Sequence, residues 1–185
     1  MSAFDELVRR NRVYVELGGP GELTPVPRTR VLIVTCIDPR VEPAAFLGVE
    51  AGDAIVLRNS GGRVNDGTIA DIALIGALAE KMGVGGPPLE VAVVHHTQCG
   101  SSFLADDGFR RQFADRTGFA EADLLASAVT DPHATVRTDV ARLLSSPLAT
   151  QGIVVSGHVL ELRTGLVETV LSPAAPHRVA GQESR

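Results

Sequence analysis

Three short apolar runs, rich in β-branched residues, most constrain the fold of this chain. They occupy residues 31–38, 54–62 and 89–96. The first and third runs predict buried strands, and the second predicts a strand that ends in a glycine pair. A helical pattern over residues 67–82, with N-cap residues before it, separates the second run from the third. Strands that alternate with helices predict an α/β fold with a mostly parallel central sheet flanked by helices.

The remaining segments complete this prediction. Two apolar runs flank Arg163 and Thr164, which predicts a hairpin whose last strand is an antiparallel edge of the sheet. The helix at 67–82 is apolar nearly all round, so we expect its own domain or a second subunit to cover it. We divide the chain into an N-terminal helix and linker (1–27), a main domain (28–172) and a frayed tail (173–185). Further helices are predicted at 1–16, 101–118, 121–129 and 133–146, and a short helix or turn at 42–53.

Composition excludes several classes of function. The 185 residues carry a net charge of -5, which argues against nucleic acid as the main partner. No apolar run approaches the roughly 20 residues that span a membrane, and the first residues lack the features of a secretory signal. We therefore expect a cytoplasmic protein. Its two cysteines, Cys36 and Cys99, form no CxxC pair, so a metal or catalytic role is favoured over a disulfide.

Three residues with metal-binding chemistry follow two of the predicted strands. Cys36 ends the first strand, and His96 and Cys99 end the third. Parallel strands bring their C-terminal ends to one edge of the sheet, and neighbouring strands lie only ~4.8 Å apart. Thiolates with an imidazole favour zinc, and three protein ligands leave a fourth position open, as catalytic sites do. A single buried cysteine is more often a small hydrophobe, but the combination of the two motifs predicts a zinc site.

The same motifs resemble those of a known family. Cys36–Arg40 is similar to the C-x-D-x-R signature of β-carbonic anhydrases, and His96–Gly100 to their H-x-x-C-G signature. Arg58–Gly62 resembles the RNAGG stretch between them, with serine in place of alanine. The resemblance runs from about residue 31 to 171 and is strongest to the small bacterial branch with a doubled histidine. It implies the sheet order 2-1-3-4 with a fifth strand at the edge, and a homodimer or dimer of dimers whose leading helix packs on the partner subunit.

The resemblance also implies a reaction. Zinc-bound hydroxide would hydrate carbon dioxide to bicarbonate and a proton. Asp38 would accept the proton of the bound water or hydroxide, and Arg40 would hold Asp38 by a fork-shaped ion pair. In some similar enzymes this aspartate becomes a fourth zinc ligand and blocks the site, so we expect Asp38 to do so at lower pH. Candidate substrate-binding residues are Ser60, Gly61 and Gly100.

Several alternatives stay open at this point. The same scaffold serves a hydrolase of carbonyl sulfide or carbon disulfide, or a zinc-stabilised dimer with a binding or regulatory role and little catalysis. A thiol redox protein is disfavoured because CxxC is absent. Pro39, Gln98 and Ser101 depart from the usual family residues. His95 should point away from His96 and pack or hydrogen-bond on the other face, and the remaining histidines are interpreted as surface or packing residues: His133, His158 and His177.

Overall fold

The sheet has five strands in the order β2-β1-β3-β4-β5. The computed structural model describes residues 2–148 and 152–176. All strand pairs are parallel except β4 with β5, which is antiparallel. The predicted α/β class, strand order and closing hairpin are therefore confirmed. The strands are β1 (Val31–Cys36), β2 (Ala54–Asn59), β3 (Leu89–His96), β4 (Ile153–Leu160) and β5 (Val167–Ala174).

Helices surround the sheet near the predicted positions. Asn65 accepts a hydrogen bond from the Thr68 amide at 2.9 Å and so begins the third helix, as its N-cap chemistry predicts. The described helices are α1 (Ala3–Glu16), α2 (Pro43–Phe46), α3 (Asp66–Lys81), α4 (Asp107–Thr117), α5 (Glu121–Ala126) and α6 (Pro132–Ser145), with 3-10 turns at Ser60–Gly62 and Gly100–Ala105.

Several boundaries differ from the sequence prediction. The second strand ends at Asn59, because the positive φ of Gly61 and Gly62 turns the chain out of the sheet. The helix expected at 101–118 is divided into a 3-10 turn and α4, and Asp106 caps α4 through the Phe109 amide. β5 continues to Ala174, so the predicted tail begins inside the strand. Residues 177–185, with His177, lie outside the described residues.

The two faces of the sheet are covered unequally. One face packs against α3 and α6 and forms the larger buried cluster. The other face forms a smaller cluster that includes Val41 and contacts Phe46 of α2. Because successive strand residues point to opposite faces, His95 and His96 lie on different sides of β3. His95 belongs to the face that α6 covers, and both rings are buried.

Large apolar side chains of α1 and α3 are left uncovered within the single chain. α1 has no buried residue, and in α3 only the side chains of Thr68, Ile69 and Ile72 are buried. The predicted covering of α3 is therefore incomplete in its own chain. We call the exposed set the helix-surface residues: Phe4, Leu7, Leu74, Leu78 and Met82.

Candidate metal centre

Cys36, His96 and Cys99 meet at the C-terminal edge of the sheet, as the strand order predicts. One potential ligand atom from each residue lies within 4.8 Å of the others, and all three residues are buried. The two sulfur atoms are 3.9 Å apart. Two thiolates bound at ~2.3 Å to one tetrahedral zinc would lie ~3.8 Å apart. The observed separation of the sulfur atoms fits such an ion.

The imidazole of His96 is oriented as a metal ligand requires. Its Nδ1 lies 2.8 Å from the carbonyl oxygen of Thr97, which fixes Nδ1 as the donor and leaves Nε2 with a free lone pair. Nε2 is buried and has no hydrogen-bond partner among the described residues. An unpartnered buried nitrogen is costly, and a metal ion next to the two sulfur atoms would satisfy it.

The two thiols have opposite pKa shifts. The hydrogen bond with Cys99, reinforced by burial, raises the pKa of Cys36 to about 12. The hydrogen bond from Cys36, with a further one from Ser101, lowers the pKa of Cys99 to about 6. Ser101 Oγ lies 3.2 Å from Cys99 Sγ. The pair therefore retains one proton near neutral pH without a metal, and metal binding has to release that proton.

Asp38 and Arg40 form the predicted two-point ion pair. Arg40 Nε and a terminal guanidinium nitrogen donate to the two carboxylate oxygens at 2.9 and 2.7 Å, and the Arg40 amide donates at 2.9 Å. These donors lower the pKa of Asp38 to about 2. The same guanidinium donates to the carbonyl of Gln98 at 3.1 Å, so it ties the loop after β1 to the loop after β3.

Gln98 has the backbone conformation that makes this link. Its φ is +56°, in the left-handed region that residues other than glycine rarely adopt. The resemblance to β-carbonic anhydrases singled out Gln98, because aspartate or glycine is usual at this position of the signature. Glycine adopts this conformation without cost, and aspartate adopts it more readily than most residues. Glutamine at this position therefore carries more backbone strain than either of them.

The candidate substrate-binding residues are placed differently from one another. Gly61 is buried, and a Cβ added to it would lie 3.0 Å from Ser101 Oγ and 3.1 Å from Val129. Ser60 and Gly100 are exposed, and a Cβ on Gly100 would meet nothing within 4 Å. The contact of all three with substrate stays a prediction.

Sequence reasoning assigned no role to two residues that support the site. Arg58 donates to the carbonyl oxygens of Cys36 and Asp38 at 3.0 and 2.9 Å and braces the loop between them. Val129 packs with the two cysteines and supplies an apolar wall. The resemblance to RNAGG had already marked Arg58, but no local signal marks Val129, which follows α5 far along the chain.

One cavity lies away from these residues. Its volume is about 410 Å³, and it is lined by α3 and by the segments before β1 and β3, at the N-terminal edge of the sheet. None of its lining residues belongs to the Cys-His-Cys group.

Among the described residues, no helix is long and apolar enough to cross a membrane.

The fold and the site together define a class of α/β proteins. Their mostly parallel sheet carries a candidate Cys-His-Cys metal site and an Asp–Arg pair at its C-terminal edge. The family model described as carbonic anhydrase matches residues 31–143. β-Carbonic anhydrase 1 of Mycobacterium tuberculosis is 31% identical over 173 residues, which cover 92% of this chain and 99% of that protein. The chain therefore belongs to the β-carbonic anhydrase family.

Two further similarities bear on its chemistry. The crystal structure of a carbonic anhydrase from Streptococcus mutans has a TM-score of 0.76 and 37% identity, and the match covers 92% of this chain and 98% of that one. A carbon disulfide hydrolase of Saccharolobus solfataricus is 32% identical over 113 residues. That match covers 60% of this chain and 50% of the hydrolase, so it is the more partial of the two.

Proposed function

We propose that this protein catalyses the reversible hydration of carbon dioxide to bicarbonate and a proton, with zinc held by Cys36, His96 and Cys99. The observation that carries the proposal is the convergence of these three ligand atoms beside the Asp38–Arg40 pair, in a chain of the β-carbonic anhydrase family. The donor set, two sulfurs and one imidazole nitrogen, is one that zinc prefers.

A bound zinc ion supplies Lewis acidity, which in the best-known hydrase lowers the pKa of water from 15.7 to near 7. Asp38 contributes as a hydrogen-bond acceptor. Since the pKa of Asp38 is lowered to about 2, its carboxylate holds no proton at neutral pH. So weak a base accepts a hydrogen bond from the reacting water molecule and orients it but does not keep its proton, which leaves to another acceptor.

Arg40 and Val129 have separate tasks in this mechanism. Arg40 fixes both carboxylate oxygens of Asp38 and leaves the carboxylate only limited freedom to rotate. Val129 contacts the two cysteines and keeps the site apolar on that side, which suits a substrate without charge or hydrogen-bond donors. We propose Ser60, Gly61 and Gly100 as further contacts of the substrate.

Stopped-flow measurement of carbon dioxide hydration tests the proposal, on protein whose zinc content is quantified. The expected result is rapid hydration with about one zinc per chain, lost together with the metal in Cys99→Ser. Zinc without hydration, across acid and alkaline pH, would refute the proposed reaction. Absence of zinc would refute the metal site.

Replacing Arg40 by lysine tests whether the two-point ion pair orients the Asp38 carboxylate. Lysine keeps the charge but loses the two-point geometry, so we expect kcat/KM to fall by about 10- to 100-fold, as for other groups that orient a metal site. Zinc content should stay at the wild-type level, because no ligand is changed. Slow hydration that Asp38→Ala leaves unchanged would indicate a zinc-stabilised binding or regulatory dimer, and rapid hydration that Arg40→Lys leaves unchanged would refute the orienting role of Arg40.

A second candidate reaction is hydrolysis of carbon disulfide or carbonyl sulfide. The 113-residue similarity to a carbon disulfide hydrolase favours it. Sulfide release from either compound, measured beside carbon dioxide hydration on the same zinc-loaded sample, separates the two activities. Sulfide release with a higher kcat/KM than hydration would make the hydrolase the main function.

We further propose a homodimer, or a dimer of dimers, in the cytoplasm. The exposed helix-surface residues support the oligomer, since apolar side chains of this size are usually covered by a partner.

We also propose that the fourth coordination position of the metal is open at neutral pH, with the ionised Asp38 off the metal. At low pH, Asp38 is predicted to move onto the metal. Crystal structures of the zinc-loaded protein across a pH series test this move.

A further inference from the structure

A buried ionic cluster lies behind the metal centre, on the other side of β3. It consists of Arg63, His95 and Asp139. Asp139 and His95 are almost fully buried, and the Arg63 side chain is only 14% exposed. None of the three contributes to the Cys-His-Cys group, and sequence reasoning assigned no role to Arg63 or Asp139.

Asp139, on α6, is the centre of this cluster. Arg63 Nε and a terminal nitrogen donate to its two carboxylate oxygens at 2.8 and 3.0 Å, and the Val64 amide donates at 3.1 Å. His95 Nε2 lies 3.2 Å from the same carboxylate. Arg63 also donates to the Ala126 carbonyl at 2.7 Å. One carboxylate thus joins α6, β3 and the segment that follows β2.

The segment that carries Arg63 forms a hydrogen-bonded turn that lies close to the candidate metal centre. Asn59 accepts from the Arg63 amide at 2.7 Å and donates to the Arg63 carbonyl at 2.8 Å. Between them, Gly62 lies so close to β1 that an added Cβ would be 3.0 Å from the Cys36 amide nitrogen. Gly61 faces Ser101, whose hydroxyl contacts Cys99 Sγ.

The cluster therefore reaches the ligands along two paths. One path runs through His95 to its chain neighbour His96. The other runs through Arg63 and the 59–63 turn to the backbone of Cys36 and to Ser101 beside Cys99. All three candidate ligands border on groups that Asp139 contacts or on the turn that Arg63 closes.

We propose that Asp139 is a positioning residue of the metal centre, which acts through Arg63 and His95 to hold the 59–63 turn and the end of β3 so that Cys36, His96 and Cys99 stay arranged for the metal. This inference rests on the proposed zinc site. Asp139 touches neither metal nor substrate. The alternative is that the cluster only stabilises the packing of α6, as many buried ion pairs do.

The experiment compares Asp139→Asn with Arg142→Ala in the zinc-loaded protein. Arg142 is the matched control, because it also lies on α6 and pairs with Asp66 at 2.6 Å, but this pair is exposed. The first readout is the rate of zinc loss to a chelator, well below the unfolding temperature and with folding checked by circular dichroism. The second is the visible absorption of the cobalt-substituted protein, which reports ligand geometry.

We expect Asp139→Asn to lose zinc about 10- to 100-fold faster than the wild type, the range for groups that orient metal ligands, with altered cobalt absorption. Arg142→Ala should match the wild type within twofold in both readouts. A folded Asp139→Asn protein with wild-type zinc loss and absorption would overturn the proposal, even if its unfolding temperature were lower.

Arg63→Lys keeps the test decisive if Asp139→Asn does not fold. Lysine retains the buried positive charge but not the two-point contact with Asp139. We expect faster zinc loss in the same direction, and wild-type zinc loss in this folded variant would overturn the proposal. Neither readout requires turnover, so failure of carbon dioxide hydration in the wild type remains distinguishable from failure of the positioning role.

Discussion

The C-terminal edge of the sheet and the helix-surface residues are opposite kinds of surface. At the sheet edge, polar side chains such as Asp38 and Arg58 form hydrogen bonds with groups of the same chain. On α1 and α3, large apolar side chains such as Phe4 and Leu74 are more than half exposed. Within the described residues, a single chain arranges the candidate metal ligands but leaves apolar side chains of these two helices exposed.

The largest expected effect concerns how little space remains at the sheet edge. In Gly62→Ala, the new Cβ would lie 2.9 Å from the Thr35 carbonyl carbon, at a φ of +66°. Left-handed strain costs about 1–2 kcal/mol and overpacking about 1–3 kcal/mol, so we expect the free energy of unfolding to fall by about 2–5 kcal/mol. Urea unfolding of the zinc-loaded protein measures it.

Gly100→Ala is the matched control for Gly62→Ala. Gly100 has an ordinary φ and no atom within 4 Å of an added Cβ. We expect its free energy of unfolding to change by less than about 0.5 kcal/mol. Equal destabilisation by the two substitutions would mean that the sheet edge is not specially constrained at Gly62.

The second prediction concerns the helix surface. Leu78 on α3 and Leu125 on α5 are equally exposed, each at 48%. If the α3 face is an interface, Leu78→Asp buries an unpaired carboxylate, and the dimer dissociation constant should rise by at least about 30-fold, about 2 kcal/mol. Sedimentation velocity across a concentration series measures this change. Leu125→Asp should leave the mass unchanged, and a dimer that survives Leu78→Asp would exclude this face.

Features set by local sequence are predicted from the sequence, whereas contacts between distant segments are not. β1 and β3 are continuous apolar runs with the motif residues at their ends, so strand type and the meeting of Cys36 with His96 follow from local pattern and parallel topology. The partnership of Arg63 with Asp139 joins positions 76 residues apart. It depends on how α6 lies on the sheet, and no local pattern encodes that.

Three glycines near the site show a second limit of prediction from the sequence. In the sequence, Gly61, Gly62 and Gly100 are equivalent candidates for close backbone approach or for tight turns. The structure separates them, because only the first two have a positive φ and crowded surroundings. Covering of α3 was likewise predicted from composition, but composition does not say whether the same chain or a partner supplies it.

The third prediction uses acid to probe the sheet edge. The pKa of Asp38 falls from its ordinary 3.8 to about 2, mainly through Arg40. A lowered folded-state pKa stabilises the protein above about pH 4, and this contribution is lost as pH falls from about 4 to 2. Because Arg40 is half exposed, we discount the contribution to about 1 kcal/mol.

Urea unfolding of metal-free wild type and Asp38→Asn between pH 6 and pH 2.5 measures this contribution. The wild type should be more stable at pH 6, and the difference should shrink toward pH 2.5. Asp139 acts in the same direction, since burial raises its pKa but His95 and Arg63 more than compensate and lower it. A difference that is independent of pH would show that Asp38 gains nothing from its ionisation.

The smallest expected effect compares two strained residues at opposite ends of the sheet. Gln98 and Arg30 both have a positive φ, of +56° and +57°. Glycine relieves about 1–2 kcal/mol of left-handed strain but costs about 0.5–1 kcal/mol in chain entropy, so Gln98→Gly should raise the free energy of unfolding by about 0.5 kcal/mol. Arg30→Gly should bring no gain, because it removes the hydrogen bond from the guanidinium to the Gly85 carbonyl. Urea unfolding of both variants checks the pair, and a stabilised protein with lower kcat/KM in Gln98→Gly would indicate that the strain holds the Gln98 carbonyl against Arg40.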